Sequence, residues 1–264
     1  MLDIKNLHKT FAPNTPNEHK ALDGLTLHLD EGEFVTVVGS NGAGKSTLFN
    51  AVCGTFLPDT GKIILHGTDI TEMPEYKRAR MIGRVFQDPM KGTAPNLSIE
   101  ENIALAYSRS RRFSLTPAIK KADREMFREM LASYNMGLED RMKTKVGLLS
   151  GGQRQVVTMM MCTIVPPKLL LLDEHTAALD PATSDKIMQI TNDVIKKHNL
   201  TTLMITHNMK SALRTGSRTI MLDSGDIILD ISGEERDNMT LDKLLQMYSQ
   251  KRNKELDNDR MLLN

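Results

Sequence analysis

Nine consecutive residues, Gly39 to Thr47, have the types and spacing needed to hold a chain of phosphates; their sequence is GSNGAGKST. The glycines allow the backbone to curl so that successive amide N–H groups point at phosphate oxygens. Lys45 is placed to reach the β- and γ-phosphates, and the hydroxyl of Ser46 is a suitable ligand for Mg²⁺. The pattern therefore predicts a site for a nucleoside triphosphate.

The segments on either side of this loop are those that such a site requires. The segment Phe34 to Val38 is uncharged and rich in β-branched residues, which predicts a buried strand. The segment Leu48 to Val52 fits the first turns of a helix. The positive end of that helix would add to the attraction for phosphate. The alternative is a glycine-rich turn with an incidental lysine. The complete G-x-x-x-x-G-K-S pattern between a strand and a helix favours the phosphate loop.

A second helix end suited to an anion is predicted at Leu149 to Gln153. Ser150 stands at the N-cap position, and Gly151 and Gly152 leave backbone amides open to a negative charge. By itself a Ser-Gly-Gly sequence is more often an ordinary turn. Its functional interpretation therefore depends on the segment that follows.

That segment is Leu169 to Leu172, an uncharged run that ends in two carboxylates, Asp173 and Glu174. Four leucines are too few to cross a bilayer but suit the central strand of a parallel sheet, where ligands gather at the carboxyl end. Asp173 would hold Mg²⁺, directly or through water, and Glu174 could accept a proton from an attacking water. The alternative is that adjacent acids only begin a solvated loop, and the two phosphate-binding segments argue against it.

Together these segments resemble the nucleotide-binding subunit of an ABC transporter, over about residues 1–235. Six family motifs occur in the family's order and approximate spacing: Walker A at Gly39 to Thr47, the Q-loop glutamine at Gln87, the signature motif at Leu149 to Gln153, Walker B at Leu169 to Asp173, the D-loop at Ala178 to Asp180, and the switch histidine at His207. The signature motif is rare outside this family.

The resemblance implies a role for each site residue. Catalytic roles would belong to Glu174, His207 and Gln87. Nucleotide contacts would come from Phe11, Gly39, Ser40, Asn41, Gly42, Ala43, Gly44, Lys45, Ser46, Thr47, Ser150, Gly151, Gly152, Gln153 and Asp180. The ligands of Mg²⁺ would be Ser46, Gln87 and Asp173.

Some of these residues also have simpler interpretations. Phe11 would stack on adenine, but a phenylalanine at the end of an alternating strand is usually part of the core. Gln87 and His207 could be ordinary polar residues at strand ends, and Asp180, followed by proline, could simply begin a helix. Each of these alternatives stays open on the sequence alone.

One position departs from the family pattern, since His175 follows Glu174 where the family usually has proline. If protonated, this histidine would lower the basicity of Glu174 through its charge. The sequence favours the other interpretation, a solvent-facing side chain with no effect on the chemistry.

The fold implied by the resemblance is α/β: a P-loop NTPase core with a mixed, mostly parallel sheet, an antiparallel β subdomain and an inserted α-helical subdomain. An ABC ATPase domain is expected over residues 1–237, with the helical subdomain at about 88–165, followed by a C-terminal helix and charged tail at 238–264. Leu2 and Ile4 alternate with polar residues, as in a half-buried strand. Thr219 to Leu222 and Asp226 to Ile231 flank a predicted hairpin turn.

The implied mechanism needs two subunits that close head to tail around two ATP molecules, with Mg²⁺, each ATP lying between Walker A of one subunit and the signature motif of the other. The partner subunit would be a second copy or a close relative. Closure would depend on ATP and opening on hydrolysis, and this cycle would drive integral membrane permease subunits. An extracytoplasmic solute-binding protein is a further candidate partner.

Composition constrains where the chain works. Lys and Arg number 34 against 33 for Asp and Glu, a net charge of +1, so no general attraction to nucleic acid is expected. The sequence predicts no membrane span, so we expect a peripheral subunit at the cytoplasmic face of the membrane. A single cassette without a fused membrane domain favours a bacterial importer of an amino-acid-like solute.

The sequence leaves three alternatives to such an importer. The first is an exporter built from separate subunits. The second is a soluble ABC-type ATPase acting on DNA or ribosomes, which would need a long coiled coil or a second cassette. The third is a small-molecule P-loop kinase, which would leave the segment Leu149 to Gln153 unexplained.

Overall fold

The structure, a computed structural model, describes residues 1–110 and 119–250 of the 264-residue chain. The chain divides into two compact units, called here the first unit (Met1–Glu75 with Leu203–Asn264) and the second unit (Tyr76–Thr202). Across the two described ranges, no helix combines the length and the apolar character that a membrane crossing requires. The charged tail expected at the C-terminus lies largely beyond residue 250 and so outside the described residues.

The first unit contains an antiparallel sheet in which the strands run in the order β2–β1–β4–β5. Its strands are β1 (Leu2–Phe11), β2 (His19–Leu29), β4 (Thr60–Leu65) and β5 (Thr68–Asp69). Leu2 pairs with Leu29 and Ile4 pairs with Leu27, and all four side chains are buried. The alternation seen in the sequence therefore gives the half-buried antiparallel strands that it predicts.

The first unit also contains the strands β3 (Phe34–Gly39), β8 (Thr202–Ile205), β9 (Arg218–Asp223) and β10 (Asp226–Ser232), together with helices α1 (Lys45–Cys53), α7 (Met209–Arg214) and α8 (Gly233–Asp237). These strands lie in the order β10–β9–β3–β8. Strands β3 and β9 are parallel, whereas β9 and β10 form an antiparallel hairpin. Both residues of its two-residue turn, Ser224 and Gly225, have positive φ, as in a type I′ turn. A further helical segment covers residues 241–250 and is called here the C-terminal helix.

The second unit is mostly helical and contains one parallel pair of strands. The strands are β6 (Ile82–Val85) and β7 (Leu169–Asp173), and the helices are α2 (Glu75–Arg78, which begins at the unit boundary), α3 (Ile99–Tyr107), α4 (Lys121–Ser133), α5 (Gly151–Thr163) and α6 (Pro181–His198). The leucines of β7 are fully buried. The expected α/β class is confirmed, with parallel pairs, an antiparallel sheet and a helical region. The expected domain bounds stay a prediction.

Candidate nucleotide site

The predicted phosphate loop joins β3 to α1 in the first unit. Gly44 is the N-cap of α1 and has a φ of 99°. A side chain there would place its Cβ 2.5 Å from the carbonyl oxygen of Ala21, so only glycine fits both the conformation and the space. Gly39 is confined in the same way by the backbone of Leu222. The glycine spacing therefore reflects close backbone approaches on both sides of the loop.

Lys45 is folded back over this loop. Its Nζ donates hydrogen bonds to the carbonyl oxygens of Gly39, at 2.8 Å, and Ser40, at 2.7 Å. Only 6% of the residue is exposed. Since the loop and the start of α1 also present backbone amides, the arrangement fits the negative charge of a nucleotide's phosphates.

The β9–β10 hairpin turn contacts the phosphate loop. Ser40 Oγ donates to Asp223 Oδ1 at 3.3 Å, and the backbone N–H of Gly225 donates to the carbonyl of Ala43 at 3.2 Å. These contacts join segments about 180 residues apart, and the sequence predicts only the hairpin. Asp223 was therefore missed as a candidate residue near the nucleotide site.

Phe11 lies at the end of β1 with 39% of its surface exposed, so it does not belong to the core. Its ring meets that of Phe56 edge-on, with centroids 5.4 Å apart, and Lys9 Nζ lies 5.8 Å from the Phe11 centroid. An exposed aromatic ring is available for stacking. Its contact with adenine stays a prediction.

His207 also belongs to the first unit. It is exposed and follows β8 by two residues. The intervening Thr206 donates its backbone N–H to the carbonyl of Val37 in β3 at 3.1 Å. The predicted switch histidine and the phosphate loop therefore follow strands that lie next to each other.

In the second unit, Gln87, Asp173 and Glu174 lie at the carboxyl ends of the paired parallel strands β6 and β7. Val85 pairs with Leu172, so Gln87, Asp173 and Glu174 come at the same edge of the pair. Polar groups at the carboxyl ends of adjacent parallel strands are typical of ligand sites in α/β proteins. The strand register thus places these three predicted residues at one edge of the pair.

Asp173 is held by an ion pair that the sequence analysis missed. Arg84 Nη2 lies 2.7 Å from Asp173 Oδ2, and the two side chains are 14% and 15% exposed. The Arg84 guanidinium also lies 4.7 Å from the centroid of the Phe86 ring. Arg84 pairs with Leu171, which makes Asp173 its diagonal neighbour on the same face. Knowledge of the register of β6 against β7 would have been needed to predict the pair Arg84–Asp173.

Asp173, whose carboxylate is paired with Arg84, is one of the predicted magnesium ligands. Among residues 1–110 and 119–250, no group of three or more His, Cys, Asp or Glu side chains could hold a metal ion. Magnesium is usually bound by one or two carboxylates with substrate phosphates and water. The Asp173 carboxylate and the Ser46 hydroxyl are oxygen donors of this kind, and their roles as magnesium ligands stay predictions.

Glu174 has an unusual backbone conformation. Its φ is 47°, in the left-handed region that residues other than glycine seldom adopt. Its carbonyl accepts a hydrogen bond from the N–H of Ala177 at 3.0 Å, which fixes the turn after β7. Such conformations cost on the order of 1–3 kcal/mol and concentrate at functional sites. The strain therefore falls on the residue predicted to be the base.

The expectation that His175 faces solvent is wrong. The residue is 3% exposed, and its Nε2 lies 3.1 Å from Thr191 Oγ1 in α6. Because Thr191 Oγ1 donates its proton to the carbonyl of Ile187, at 2.8 Å, it accepts one from Nε2–H of His175. Burial lowers the pKa of His175 to about 4, so the ring is neutral at neutral pH and carries no charge that could affect Glu174. The hydrogen bond to Thr191 satisfies one ring nitrogen of this buried side chain.

This burial predicts a specific pH dependence of stability. The unfolded imidazole protonates near pH 6.5, whereas the folded one resists protonation to about pH 4. The free energy of unfolding should fall between these values, because protons then bind preferentially to the unfolded chain. A separation of about 2.5 pH units, at about 1.4 kcal/mol each, amounts to about 3 kcal/mol.

Urea denaturation of wild type and His175→Gln between pH 7.5 and 4 would measure this contribution. The variant should lose about 3 kcal/mol of the pH dependence, while His19→Gln, at an exposed position, should keep all of it. Parallel pH profiles for wild type and His175→Gln would contradict the assignment of a buried neutral histidine.

The predicted signature segment begins α5 with a reciprocal cap. Ser150 Oγ accepts from the N–H of Gln153, and Gln153 Oε1 accepts from the N–H of Ser150, both at 3.3 Å. Asp180, in the predicted D-loop, caps α6 by accepting a hydrogen bond from the backbone N–H of Thr183 at 3.0 Å. Hydrogen bonding to Thr183 lowers the pKa of Asp180. The two helix starts lie close together, because a side chain at Gly152 would collide with Thr183. The signature and D-loop segments are thus packed together at the starts of two helices.

Comparison with known proteins agrees with this arrangement. The ABC transporter family model matches residues 22–177. The tyrosine transport ATP-binding protein of Clostridioides difficile (strain R20291) is 41% identical over 249 residues, which cover 94% of this chain and 98% of that protein. The xylose/arabinose import ATP-binding protein of Sulfolobus acidocaldarius is 34% identical over 236 residues, or 89% of each chain.

Solved structures give the same result. An ATP-binding cassette that was solved as a dimer in a post-hydrolysis state, bound to ADP and Pi, superposes with a TM-score of 0.76 at 28% identity, covering 88% of this chain and 98% of that one. The ADP conformation of another ABC transporter cassette also gives a TM-score of 0.76, at 26% identity, over 94% of this chain and 98% of that one. The phosphate loop, the capped signature helix, the family match and these structures lead to one conclusion: the chain belongs to the ABC transporter family, as an ATP-binding and ATP-hydrolysing subunit.

Proposed function

We propose that this subunit powers the uptake of an amino-acid-like solute, such as tyrosine, through separate membrane subunits. The observation that carries the proposal is the 41% identity to a tyrosine transport ATP-binding protein over 98% of that protein's length. Another relative, a methionine import ATP-binding protein from Corynebacterium glutamicum, is 31% identical over 230 residues. The solute itself is recognised by other chains, so the exporter built from separate subunits is the second candidate.

The proposed chemistry is in-line transfer of the γ-phosphoryl group of ATP to water. The amides of Gly39 to Thr47 and the ammonium of Lys45 would stabilise the charge on the phosphates, as phosphoryl transfer requires. Glu174 would accept the proton of the attacking water, and His207 would hydrogen-bond the γ-phosphate. Magnesium, held by Ser46, Gln87 and Asp173, would neutralise charge on the phosphate oxygens.

We propose that each ATP also needs a second copy of the chain or a close relative. Ser150, Gly151 and Gly152, at the start of α5, would cover the γ-phosphate bound by the partner subunit, and Asp180 would lie at the dimer interface. The dimeric cassette solved with ADP and Pi supports this arrangement. Because an incomplete set of charge-stabilising groups makes a slow catalyst, hydrolysis would depend on closure of the dimer.

The remaining assignments concern location and partners. We propose that the chain is a peripheral subunit at the cytoplasmic face of the membrane, held there by permease subunits, and that an extracytoplasmic protein delivers the solute. The importer subunits among its relatives support this organisation. The relatives named above are transport subunits, which favours transport over a role on DNA or ribosomes.

Uptake of labelled tyrosine in the native host tests the choice of solute. Deleting the gene for this chain should abolish high-affinity tyrosine uptake, and a plasmid copy of the wild-type gene should restore it. Unlabelled tyrosine and related amino acids should compete, whereas a pentose should not. Unchanged tyrosine uptake in the deletion strain, with loss of a different solute, would overturn the proposed cargo but not the ATPase assignment.

A further inference from the structure

We infer that Tyr248, in the C-terminal helix, is a positioning residue for the phosphate loop, because its hydroxyl holds the Asp223 carboxylate against Ser40. The inference rests on the proposed assignment of Gly39 to Thr47 to the phosphates of ATP. It adds to that site a residue about 200 positions away, in a segment beyond the six family motifs.

One carboxylate oxygen joins the C-terminal helix to the phosphate loop. Tyr248 donates its hydroxyl proton to Asp223 Oδ1 at 3.3 Å, and Ser40 Oγ donates to the same oxygen at 3.3 Å. A carboxylate has only acceptor groups, so both hydroxyls must be the donors. Asp223 is 8% exposed, which limits competition from water for these bonds. Tyr248 and Ser40 therefore share one buried acceptor.

The turn that follows Asp223 touches the loop at further points. The Gly225 N–H donates to the carbonyl of Ala43 at 3.2 Å, and the Gly225 carbonyl accepts from the N–H of Asp23 at 3.0 Å. A Cβ on Gly44 would lie 3.4 Å from the Gly225 Cα. With so little free space, a shift of the hairpin turn must move the loop with it.

The C-terminal helix is itself fixed against the strand that leads into the loop. Its residue Leu244 is fully buried in a hydrophobic cluster that includes Val38, the residue before Gly39, and Met221 of β9. Met247 and Tyr248 pack against the same cluster. The helix that carries the Tyr248 hydroxyl is thus held in place by packing against this cluster, as a positioning contact requires.

Replacing Tyr248 with Phe would test this role, because it removes the hydroxyl and keeps the ring in the cluster. In the full-length protein, we expect the Kd and KM for ATP to rise about fivefold, the effect of losing one hydrogen bond, while kcat changes less than twofold. Ser40→Ala should weaken binding to a similar extent. The double variant should be no weaker than Ser40→Ala alone, because both changes break the same link.

Tyr134→Phe is the matched control, since it removes a hydroxyl that is hydrogen-bonded to Thr163 in the second unit. It should leave the Kd for ATP unchanged, and thermal unfolding would show that all variants are folded. Wild-type affinity in Tyr248→Phe, an equal loss in Tyr134→Phe, or additive effects of Tyr248→Phe and Ser40→Ala would each overturn the inference. Failure of the wild-type protein to bind ATP would instead reject the assignment of the phosphate loop.

Discussion

Replacing Glu174 with Gln should leave ATP binding intact and slow hydrolysis by about 10²- to 10⁴-fold, the usual effect of losing a general base. The amide has the size of the carboxylate but cannot accept the proton of the attacking water. The left-handed backbone at Glu174, with its φ of 47°, is kept in the variant because glutamine has the same branching at Cβ. The change therefore tests the chemistry of the side chain and not the shape of the turn.

Release of inorganic phosphate and the Kd for ATP would be measured on the same preparations. Glu235→Gln, an exposed position in α8, is the matched control and should behave as wild type. With ATP and Mg²⁺, the Glu174→Gln protein should also elute as a dimer, because in the proposed mechanism closure depends on ATP and opening depends on hydrolysis. The double variant that carries both Glu174→Gln and Ser150→Arg should not form this dimer, because the arginine would occupy the surface that is proposed to cover the partner's ATP. Undiminished phosphate release from Glu174→Gln would reject the base, and a dimer that survives Ser150→Arg would reject the shared site.

Replacing Lys45 with Ala should reduce both ATP affinity and turnover, each by about 100-fold or more, since hydrogen bonds from a charged group are among the strongest in proteins. The structure adds a second cause. The Lys45 ammonium donates to the carbonyls of Gly39 and Ser40, so its loss also removes the bonds that brace the loop. We therefore expect a lower unfolding temperature as well as weaker binding.

Calorimetric titration with ATP and thermal unfolding would separate these two effects. Lys62→Ala removes an exposed ammonium from β4 in the same unit and should change neither quantity. Lys45→Arg keeps a charge and donors, so it should recover stability more fully than nucleotide affinity, because the larger guanidinium does not fit the phosphate position in the same way. Normal ATP binding by Lys45→Ala would contradict the assignment of the loop.

The parts of this fold that the sequence predicts are those determined by neighbours in the chain. The β3–loop–α1 segment needs only an uncharged strand, correctly spaced glycines and a helix former, and the structure has each of them. The alternation in β1 likewise follows from residue types that are close together in sequence. The site roles of Gln87 and His207, in contrast, came from the family pattern, because a single polar residue after a strand has no distinctive local signal.

The features that the sequence analysis missed depend on contacts between distant segments. His175 was expected to face solvent, whereas its ring is buried and hydrogen-bonded to Thr191 in α6. The pair Arg84–Asp173 depends on the register of β6 against β7. Burial and strand register are set by packing in three dimensions, so local residue patterns do not determine them.

The close approach of Gly152 to Thr183 links two segments that are expected to touch the neighbouring copy. Any bulkier residue at position 183 would push the start of α5 aside, and any tilt of α5 would be felt at the cap of α6 through Asp180. The two segments that are proposed to contact the partner's nucleotide therefore cannot move independently. In a dimer, a displacement caused by hydrolysis in one subunit would therefore reach the starts of α5 and α6 together.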